Sequence, residues 1–371
     1  MSDSAFWKNE PVQNDISDKD GEIMSLKPTV KLTPLPEGLE WGQIDPDISE
    51  QIESLYQLLR DHYVSSETNR LTYSIDFLHH HLRSPRMDLY LSLALWETES
   101  KKLVGYICGT PMTLVVREKE IKIIETNLLC LIKSLRDKGL APLIIKEITR
   151  RAGIIGISQS MFTGNRPQFQ PVSTARYYHR IIDYTKAMKV DFCPVVEGNK
   201  LTLYQMYFHV QPVKNKLRLL EPDDIPLVTY LLNKWLSQYQ LYQKLDEEYV
   251  RYMLLDNSDV DCWIFEENGN IDIISVYYID STHIPTGNSI KEAYLYYHTA
   301  HKVSVCHLFQ MLLQRLSGKV EVVNILDIMD KANIISEQSL KIVPGTGTLN
   351  YYLYNWATAP ISSAENGKPI L

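Results

Sequence analysis

The sequence lacks the features that mark secreted, membrane-spanning and metal-binding proteins. Its 371 residues include five cysteines, an odd and scattered set without a CxxC pair, which argues against a disulfide framework or a zinc site. No run approaches the about 18 apolar residues of a membrane span, and the polar N-terminus has no signal-peptide stretch. The three histidines at 79–81 cannot converge on one ion, because neighbours on a helix point about 100° apart. These absences predict a cytoplasmic protein with no transmembrane segment and no metal.

The sequence also has no excess of positive charge. Its 38 lysines and arginines stand against 45 aspartates and glutamates, a formal net charge of -7, which disfavours general nucleic-acid binding. The composition is that of an ordinary globular protein, 44% hydrophobic and 22% charged, and the length is typical of two domains. We therefore expect a soluble protein whose partners do not include nucleic acid.

Two parts of the chain show the same order of predicted elements: helix, hairpin, strand and helix. In the first part these elements are predicted at 48–63, 88–116, 120–131 and from about 141 to 151, with a further short helix at 76–84 and a loop at 63–74. In the second part a strand end followed by the helix is predicted at 217–239, and the hairpin, strand and helix are predicted at 262–280, 289–301 and 305–318. The repetition predicts an α/β (α+β) fold of two tandem pseudo-symmetric halves that share a mixed twisted sheet.

A basic loop with a glycine lies between a predicted strand and a predicted helix start. It reads Arg136-Asp137-Lys138-Gly139-Leu140-Ala141, followed by proline. Unpaired N–H groups and the helix dipole make such a junction suitable for an anion, and pyrophosphate is a natural occupant. The alternative is a basic turn in which the glycine only permits a sharp bend. The corresponding stretch of the second half has no Arg-x-x-Gly-x-Ala, so only the first half is predicted to hold this site.

The pattern Arg-x-x-Gly-x-Ala resembles the coenzyme A pyrophosphate motif of the GCN5-related acetyltransferase fold. Several further segments, in order along the chain, resemble the glycylpeptide N-tetradecanoyltransferase (N-myristoyltransferase) family. They are FWKNEPV (6–12), KKLVGYI (101–107), EITRR (147–151), RYYHR (176–180), ILDIMD (325–330) and LNYYLYNW (349–356). This family consists of two pseudo-symmetric halves of the acetyltransferase type, which agrees with the repeated element order.

The resemblance implies a reaction and a set of catalytic groups. The family transfers a myristoyl group from myristoyl-CoA to the α-amine of an N-terminal glycine, without a covalent enzyme intermediate. By resemblance, the backbone N–H groups of Leu128 and Leu129 stabilise the oxyanion, and the C-terminal carboxylate of Leu371 is the base. Thr163 and His179 assist near the amine. Composition alone would predict a frayed end at 357–371, whereas the resemblance implies that the tail is buried.

The resemblance also implies binding positions for both substrates. The acyl-CoA positions are Phe6, Trp7, Cys130, Leu131, Arg136, Asp137, Lys138, Gly139, Leu140 and Ala141. The peptide positions are Tyr63, Leu71, Tyr73, Tyr177, Ser275, Tyr294 and Asn324. The expected partners are therefore acyl-CoA and peptides or nascent proteins that begin with glycine, bound by a monomer.

The chain departs from the family pattern at three places. Leucine replaces phenylalanine at 128, and aspartate replaces serine at 137. The acidic loop that binds basic residues of the peptide in this family is reduced here to Ser65-Ser66-Glu67-Thr68, and Thr346 stands at a second position that is acidic in the family. The last change predicts a weaker preference for peptides that carry lysine. The departures leave two alternatives open: another acyl-CoA N-acyltransferase of the same fold, or a catalytically inactive acyl-CoA-binding module.

The predicted domains follow from the repetition and the resemblance. Residues 1–30 are expected to form a largely flexible segment with a Phe-Trp anchor, and residues 31–210 the half that binds acyl-CoA. Residues 211–371 are expected to form the half that contributes the peptide site and the C-terminal carboxylate.

Overall fold

The computed structural model describes residues 6–64 and 68–370, apart from the side chain at position 270. Two compact units emerge from the contacts within the chain. Unit 1 comprises Met1–Val64, Tyr73–Thr174 and Leu349–Ser362, and unit 2 comprises Ser65–Thr72, Ala175–Thr348 and Ser363–Leu371. Both units are discontinuous in sequence, and the boundaries at 30/31 and 210/211 stay a prediction.

The described residues form strands and helices that are interspersed along the chain. The strands are β1 (Gly21–Glu22), β2 (Leu39–Gln43), β3 (Asn69–Thr72), β4 (Ser92–Glu97), β5 (Leu103–Val116), β6 (Lys119–Leu131), β7 (Gln159–Gly164), β8 (Ser173–Ile181), β9 (Leu217–Leu219), β10 (Leu241–Gln243), β11 (Val260–Glu267), β12 (Asn270–His283), β13 (Ser289–His298), β14 (Val322–Leu326), β15 (Val343–Tyr354) and β16 (Trp356–Ala357). The helices are α1 (Ser49–His62), α2 (Ile75–Leu82), α3 (Leu140–Ile154), α4 (Tyr184–Met188), α5 (Gly198–Phe208), α6 (Ile225–Leu236), α7 (Glu247–Leu254), α8 (Val305–Leu316) and α9 (Ala332–Ser336).

Unit 1 contains a mixed sheet with the strand order β2-β4-β5-β6-β7, followed by the end of β15. All neighbours are antiparallel except β6 and β7, which are parallel and connected through α3. The predicted apolar face of α1 is confirmed, since Ile52, Leu55, Leu58 and Leu59 are buried. The repeated pattern predicted the hairpin, the strand and the helix of this unit, whereas β7, the parallel partner of β6, was not predicted.

Unit 2 repeats this arrangement. Its strand order is β8-β14-β13-β12-β11-β9, and only β13 and β14 are parallel, joined through α8. Helix α8 buries Leu308, Phe309, Leu312 and Leu316 in the core of this unit. The mixed α/β class and the repeated order of elements are thus confirmed.

One local prediction was wrong. The segment 63–74 was predicted to be a loop, but it contains β3, which pairs antiparallel with β12. The sequence Asn-Arg-Leu-Thr has no alternation of apolar residues, and its strand conformation depends on a partner more than two hundred residues away. Within the described part of the chain, no helix combines the length and apolar character that a membrane crossing requires.

Candidate functional site

A β-bulge interrupts the pairing of β5 and β6 in unit 1. Tyr106 pairs with Cys130 and Cys108 pairs with Asn127, so Leu128 and Leu129 together face a single residue of β5. Leu128 has a φ of 59°, a left-handed conformation that is costly for leucine. A bulge removes the extra residue from the ladder and re-aims its backbone groups. The predicted oxyanion donors therefore lie where the strand is irregular.

The neighbouring strand leaves β6 before the bulge is reached. Among the described residues, parallel pairing of β6 with β7 covers Ile123–Glu125. Beyond it, the Thr126 hydroxyl donates to the Met161 carbonyl oxygen over 3.4 Å. Thr163 lies further along β7, opposite Tyr351 of β15, and is partly exposed. The described β6–β7 pairing thus ends before the bulge, and the backbone of Leu128 and Leu129 lies beyond it.

The basic loop after β6 is held by Arg136. Its Nε donates to the Leu131 carbonyl oxygen over 3.2 Å, and its Nη2 donates to the carbonyl oxygen of His62. His62 accepts in turn from the Lys133 N–H over 3.3 Å, and burial, aided by the nearby positive charges of Arg136 and Lys133, lowers its pKa. Arg136 therefore shapes the loop, and its direct contact with acyl-CoA stays a prediction.

The tip of the loop is exposed and left-handed at two positions. Asp137 has a φ of 60° and Gly139 a φ of 72°, and Gly139 is the residue before α3. A methyl group added at Gly139 would meet nothing within 4 Å. Lys138 is also exposed, whereas Leu140 is buried. The first turn of α3 therefore presents backbone N–H groups and a positive dipole end toward open space.

The two N-terminal aromatic residues dock onto unit 1, as the sequence predicted. Trp7 is 7% exposed, stacks on Phe162 at 5.5 Å between ring centroids, and donates from Nε1 to Gln168 Oε1 over 3.1 Å. Phe6 stays half-buried, with the Lys146 ammonium 5.8 Å from its ring centroid. Trp7 therefore serves as an anchor, and Phe6 is the more accessible of the two predicted acyl-CoA contacts.

The predicted positions Cys130 and Leu131 end β6 in buried surroundings. They are 3% and 7% exposed, and the Cys130 thiol lies 3.8 Å from the Leu58 carbonyl oxygen. Burial raises the pKa of Cys130 to about 12, so this thiol is not a nucleophile near neutral pH. Only the backbone groups of these two residues are suited to contact a ligand, as the resemblance implies.

Unit 2 brings several predicted peptide residues together on three neighbouring strands. β8 places His179 opposite Asn324 of β14, and β14 places Asn324 beside Tyr294 of β13. His179 Nδ1 lies 2.6 Å from Asn324 Oδ1. Burial lowers the pKa of His179 although the Asn324 hydrogen bond raises it, so the imidazole is neutral at pH 7. Burial, together with the charge of Glu292, raises the pKa of Tyr177 to about 12.

Two features of this cluster were missed from the sequence. Glu292 is a 4% exposed carboxylate of β13 that accepts hydrogen bonds from Asn324 and Tyr294. Gly345 passes so close to His179 that a Cβ there would clash with the imidazole Nε2 and would lie 2.8 Å from the Tyr177 carbonyl oxygen. The only sequence signal was the acid of the Lys291-Glu292 pair, directly before the apolar run that ends β13.

The remaining predicted peptide positions differ in accessibility. Tyr63 and Tyr73 are half-buried in unit 1, with ring centroids 6.0 Å apart. Leu71 lies on β3 of unit 2 and pairs with Ser281. Ser275 is fully buried, and its hydroxyl donates to the Tyr297 carbonyl oxygen over 2.8 Å. The structure thus gives Ser275 an internal partner, and its role in peptide binding stays a prediction.

The C-terminal segment is packed into unit 2 as far as it is described. The Gly367 N–H donates to the Leu241 carbonyl oxygen over 2.7 Å, and the Met329 N–H donates to that of Asn366 over 3.0 Å. Asn366 and Lys368 are 0% and 3% exposed. A frayed end is therefore wrong for this segment, and its predicted burial is confirmed. Leu371 lies outside the described residues, as do Ser65, Ser66 and Glu67.

The described part of the chain brings together no cluster of side chains that could ligate a metal. Residues 6–64 and 68–370 contain no group of three or more histidine, cysteine and acidic residues that could hold an ion. Of the three consecutive histidines, His81 points its Nε2 at the Cys108 thiol, 3.3 Å away.

The fold places the chain in a wide structural class. A GCN5-related N-acetyltransferase from Anabaena variabilis superposes with a TM-score of 0.51 at 10% identity, over 85% of this chain and 72% of that one, which shows a shared fold. The Saccharomyces cerevisiae N-myristoyltransferase with bound myristoyl-CoA has a TM-score of 0.91 at 28% identity, covering 100% of both chains.

Sequence comparison narrows this class to one family. The models for the N-terminal and C-terminal domains of Myristoyl-CoA:protein N-myristoyltransferase match residues 22–175 and 189–369. The glycylpeptide N-tetradecanoyltransferase 2 of Danio rerio is 34% identical, over 98% of this chain and 76% of that protein. The enzymes of Aspergillus fumigatus and Arabidopsis thaliana are also 34% identical, over 99% of this chain and 81% and 89% of theirs. The chain belongs to the N-myristoyltransferase family.

Proposed function

We propose that this chain transfers a myristoyl group from myristoyl-CoA to the α-amine of an N-terminal glycine. The proposal rests on one observation above all, the bulge at Leu128 and Leu129 directly before the exposed loop at Gly139. An anion-binding loop that follows irregular backbone donors suits a coenzyme A thioester whose carbonyl develops negative charge. The names of the related enzymes agree with this reaction.

The reaction needs one bond to form and one to break. The glycine nitrogen attacks the thioester carbon, the N–C bond forms, and the C–S bond breaks with departure of the coenzyme A thiolate. The backbone N–H groups of Leu128 and Leu129 stabilise the oxyanion of the tetrahedral intermediate, a role worth about 10² to 10³ in rate per donor. Replacement of the family's phenylalanine by Leu128 does not remove a backbone donor.

The attacking amine must first lose a proton. We assign the base to the C-terminal carboxylate of Leu371, as the family resemblance implies. The described segment before it is packed into unit 2 as far as Lys368. Thr163 and His179 assist near the amine, and a neutral His179 is suited to accept a hydrogen bond. Lys138, Gly139 and the first turn of α3 bind the pyrophosphate. A cytoplasmic monomer that acts on N-terminal-glycine peptides and nascent proteins, with reduced preference for lysine-bearing peptides, stays a prediction.

The direct test is release of coenzyme A from myristoyl-CoA in the presence of a peptide that begins Gly-Asn. Full-length chain should release coenzyme A only with a free N-terminal glycine, and an N-acetylated copy of the peptide is the matched control. Deletion of Leu371 should reduce the rate at saturating substrate by about 10² or more if the carboxylate is the base.

The same assay separates the alternatives. Faster release from acetyl-CoA than from myristoyl-CoA would identify a different acyl-CoA N-acyltransferase of this fold. Tight binding of myristoyl-CoA without release would identify an inactive acyl-CoA-binding module, and Leu128 and Asp137 would be the first positions to revert to the family residues.

A further inference from the structure

Four polar side chains of unit 2 form a continuous row across three strands. His179 Nδ1 lies 2.6 Å from Asn324 Oδ1, Asn324 Nδ2 donates to Glu292 Oε2, and the Tyr294 hydroxyl lies 3.3 Å from the same oxygen. Glu292 is 4% exposed and Asn324 is 3% exposed, so bulk water does not compete for these bonds. The row begins at a buried carboxylate and ends at the imidazole assigned to the amine.

The charge at one end of this row fixes the proton position at the other. An ionised carboxylate only accepts hydrogen bonds, so Asn324 must turn its NH₂ group toward Glu292. Its carbonyl oxygen then faces His179 Nδ1, which must carry the proton. A neutral imidazole has one N–H, so its lone pair lies on Nε2. With the carboxylate ionised, each hydrogen bond in the row therefore has one direction.

We propose that Glu292 is a positioning residue for acyl transfer, which orients Asn324 and thereby holds His179 in the Nδ1–H tautomer with Nε2 ready to accept. The proposal rests on the proposed function only in assigning His179 to the glycine amine. The tautomer itself is a property of unit 2 that can be measured without any substrate.

The surroundings of Nε2 are consistent with this role. β15 approaches it with Gly345, where any side chain would clash with the ring, and the Phe192 ring lies edge-on to the imidazole at 4.9 Å between centroids. Neither neighbour offers a side-chain hydrogen bond that would favour a proton on Nε2. The backbone that passes His179 therefore needs a glycine, which explains why Gly345 stands between Pro344 and Thr346 in this strand.

The groups around Glu292 determine the pH at which it takes up a proton and the hydrogen bonds of the row change direction. Burial raises its pKa, and the nearby charge of Asp280 raises it further, while Asn324, Tyr294 and Ser281 lower it by hydrogen bonding. A protonated Glu292 becomes a donor. It would then favour a flipped Asn324 that donates to Nδ1, which moves the imidazole proton to Nε2. Activity should therefore fall on the acid side, as Glu292 takes up a proton and Nε2 loses its lone pair.

The test is nitrogen NMR of the full chain with ¹⁵N-labelled histidine rings, with the His179 signals assigned by their loss in His179→Gln. We expect Nδ1 to be protonated and Nε2 to be of the unprotonated type in the wild type. Glu292→Gln should give a mixture of tautomers, because glutamine offers either an oxygen or an NH₂ group to Asn324. Tyr294→Phe should leave the tautomer unchanged, since it removes a donor to Glu292 without touching Asn324.

A second variant moves the carboxylate from position 292 to position 324 and should rescue the tautomer of His179. In Glu292→Gln combined with Asn324→Asp, the new carboxylate accepts directly from Nδ1–H, and the glutamine donates to its other oxygen. We expect Glu292→Gln to lower kcat about tenfold. The double variant should restore the wild-type tautomer and recover most of the lost kcat. A positioning role predicts that the acid limb of the pH profile changes in Glu292→Gln while the KM for myristoyl-CoA does not.

An Nε2–H tautomer in the wild type, or an unchanged tautomer in both Glu292→Gln and Glu292→Leu, would overturn the proposal. If the wild type releases no coenzyme A but shows the Nδ1–H tautomer that shifts in Glu292→Gln, the proposed function fails while the orienting role of Glu292 stands. A normal tautomer shift with unchanged kcat would show that His179 does not serve the amine.

Discussion

Both units place a loop between a strand of the parallel pair and the helix that follows it, but the surroundings of the loop's backbone N–H groups differ. In unit 1 the loop 132–139 ends in the exposed residues Lys138 and Gly139 before α3. In unit 2 the loop 299–304 receives the buried carboxylate of Asp272. The N–H groups of residues 301, 302 and 303 donate to it over 2.7, 2.8 and 3.0 Å.

The difference indicates why only unit 1 is predicted to offer this loop to an external anion. Backbone N–H groups before a helix attract an anion in both units. Unit 2 supplies that anion from its own chain, so three N–H groups of its loop are already occupied by Asp272. The sequence predicted a single site because the motif was missing from the second half, and the structure adds the physical reason in Asp272.

Removal of the internal anion should have the largest effect on stability. Asp272 is 0% exposed and also accepts from the Thr299 hydroxyl over 3.2 Å, so Asp272→Ala leaves four donors without their acceptor. We expect a loss of about 3 to 5 kcal/mol in the free energy of unfolding, measured by chemical denaturation. Asp272→Asn, which keeps one acceptor oxygen, should lose less. A loss below about 1 kcal/mol in Asp272→Ala would contradict the comparison.

The units also differ in how they bury positive charge. Unit 1 pairs the guanidinium groups of Arg150 and Arg151 with Glu147 at 2.7 and 3.1 Å. In unit 2 the ammonium of Lys331 is fully buried and donates to the Leu295 carbonyl oxygen over 3.0 Å. Burial lowers the pKa of Lys331 to about 7 from its ordinary 10.5, although Asp330 raises it. An ion pair protects the charge in unit 1, whereas unit 2 favours the neutral amine.

Lys331 therefore makes stability depend on pH above neutrality. Between its folded pKa of about 7 and its ordinary value of 10.5, the unfolded chain binds the extra proton. The free energy of unfolding should therefore rise with pH in this window, by at most about 1.4 kcal/mol per pH unit. Lys331→Met should remove this rise, and the difference between the two chains isolates it from other titrating groups. If the free energy of unfolding changed with pH in the same way for the wild type and Lys331→Met between pH 7 and 9, a neutral buried Lys331 would be contradicted.

A smaller effect is expected at the glycine before α3. Gly139→Ala forces a left-handed alanine at φ 72° into open space, which should cost about 1 kcal/mol of stability and weaken myristoyl-CoA binding by altering the loop. Gly318 of unit 2, with φ 81° and equal space for a methyl group, is the matched control. Gly318→Ala should shift the denaturation midpoint as much as Gly139→Ala does, but it should leave the affinity for myristoyl-CoA unchanged. Equal losses of myristoyl-CoA affinity in the two variants would contradict a special role for Gly139.

Local patterns in the sequence predicted the elements that carry a strong signal of their own. The apolar face of α1 and the hairpin around the turn after β4 are examples, as is the helix predicted from about Ala141, which begins at Leu140. Elements such as β3 and β14 were not predicted, because their short segments become strands only through pairing with distant partners. Element type therefore follows from local periodicity only where the element is long.

The candidate site divides in the same way. The loop residues could be found because they are contiguous. The bulge at Leu128 could not, since leucine has no preference for a left-handed conformation and only the register of β5 reveals it. The row from Glu292 to His179 is formed by side chains of three strands that are brought together by strand pairing, so no local sequence pattern predicts it.

The most direct test of the comparison is calorimetric titration of the full chain with myristoyl-CoA, for a matched pair of charge reversals. Lys138 and Lys302 are both exposed lysines on the equivalent loops of units 1 and 2. We predict one binding site per chain, an affinity about tenfold lower in Lys138→Glu, and an unchanged affinity in Lys302→Glu. Two sites per chain, or equal losses in the two variants, would contradict the claim that unit 1 alone holds the acyl donor.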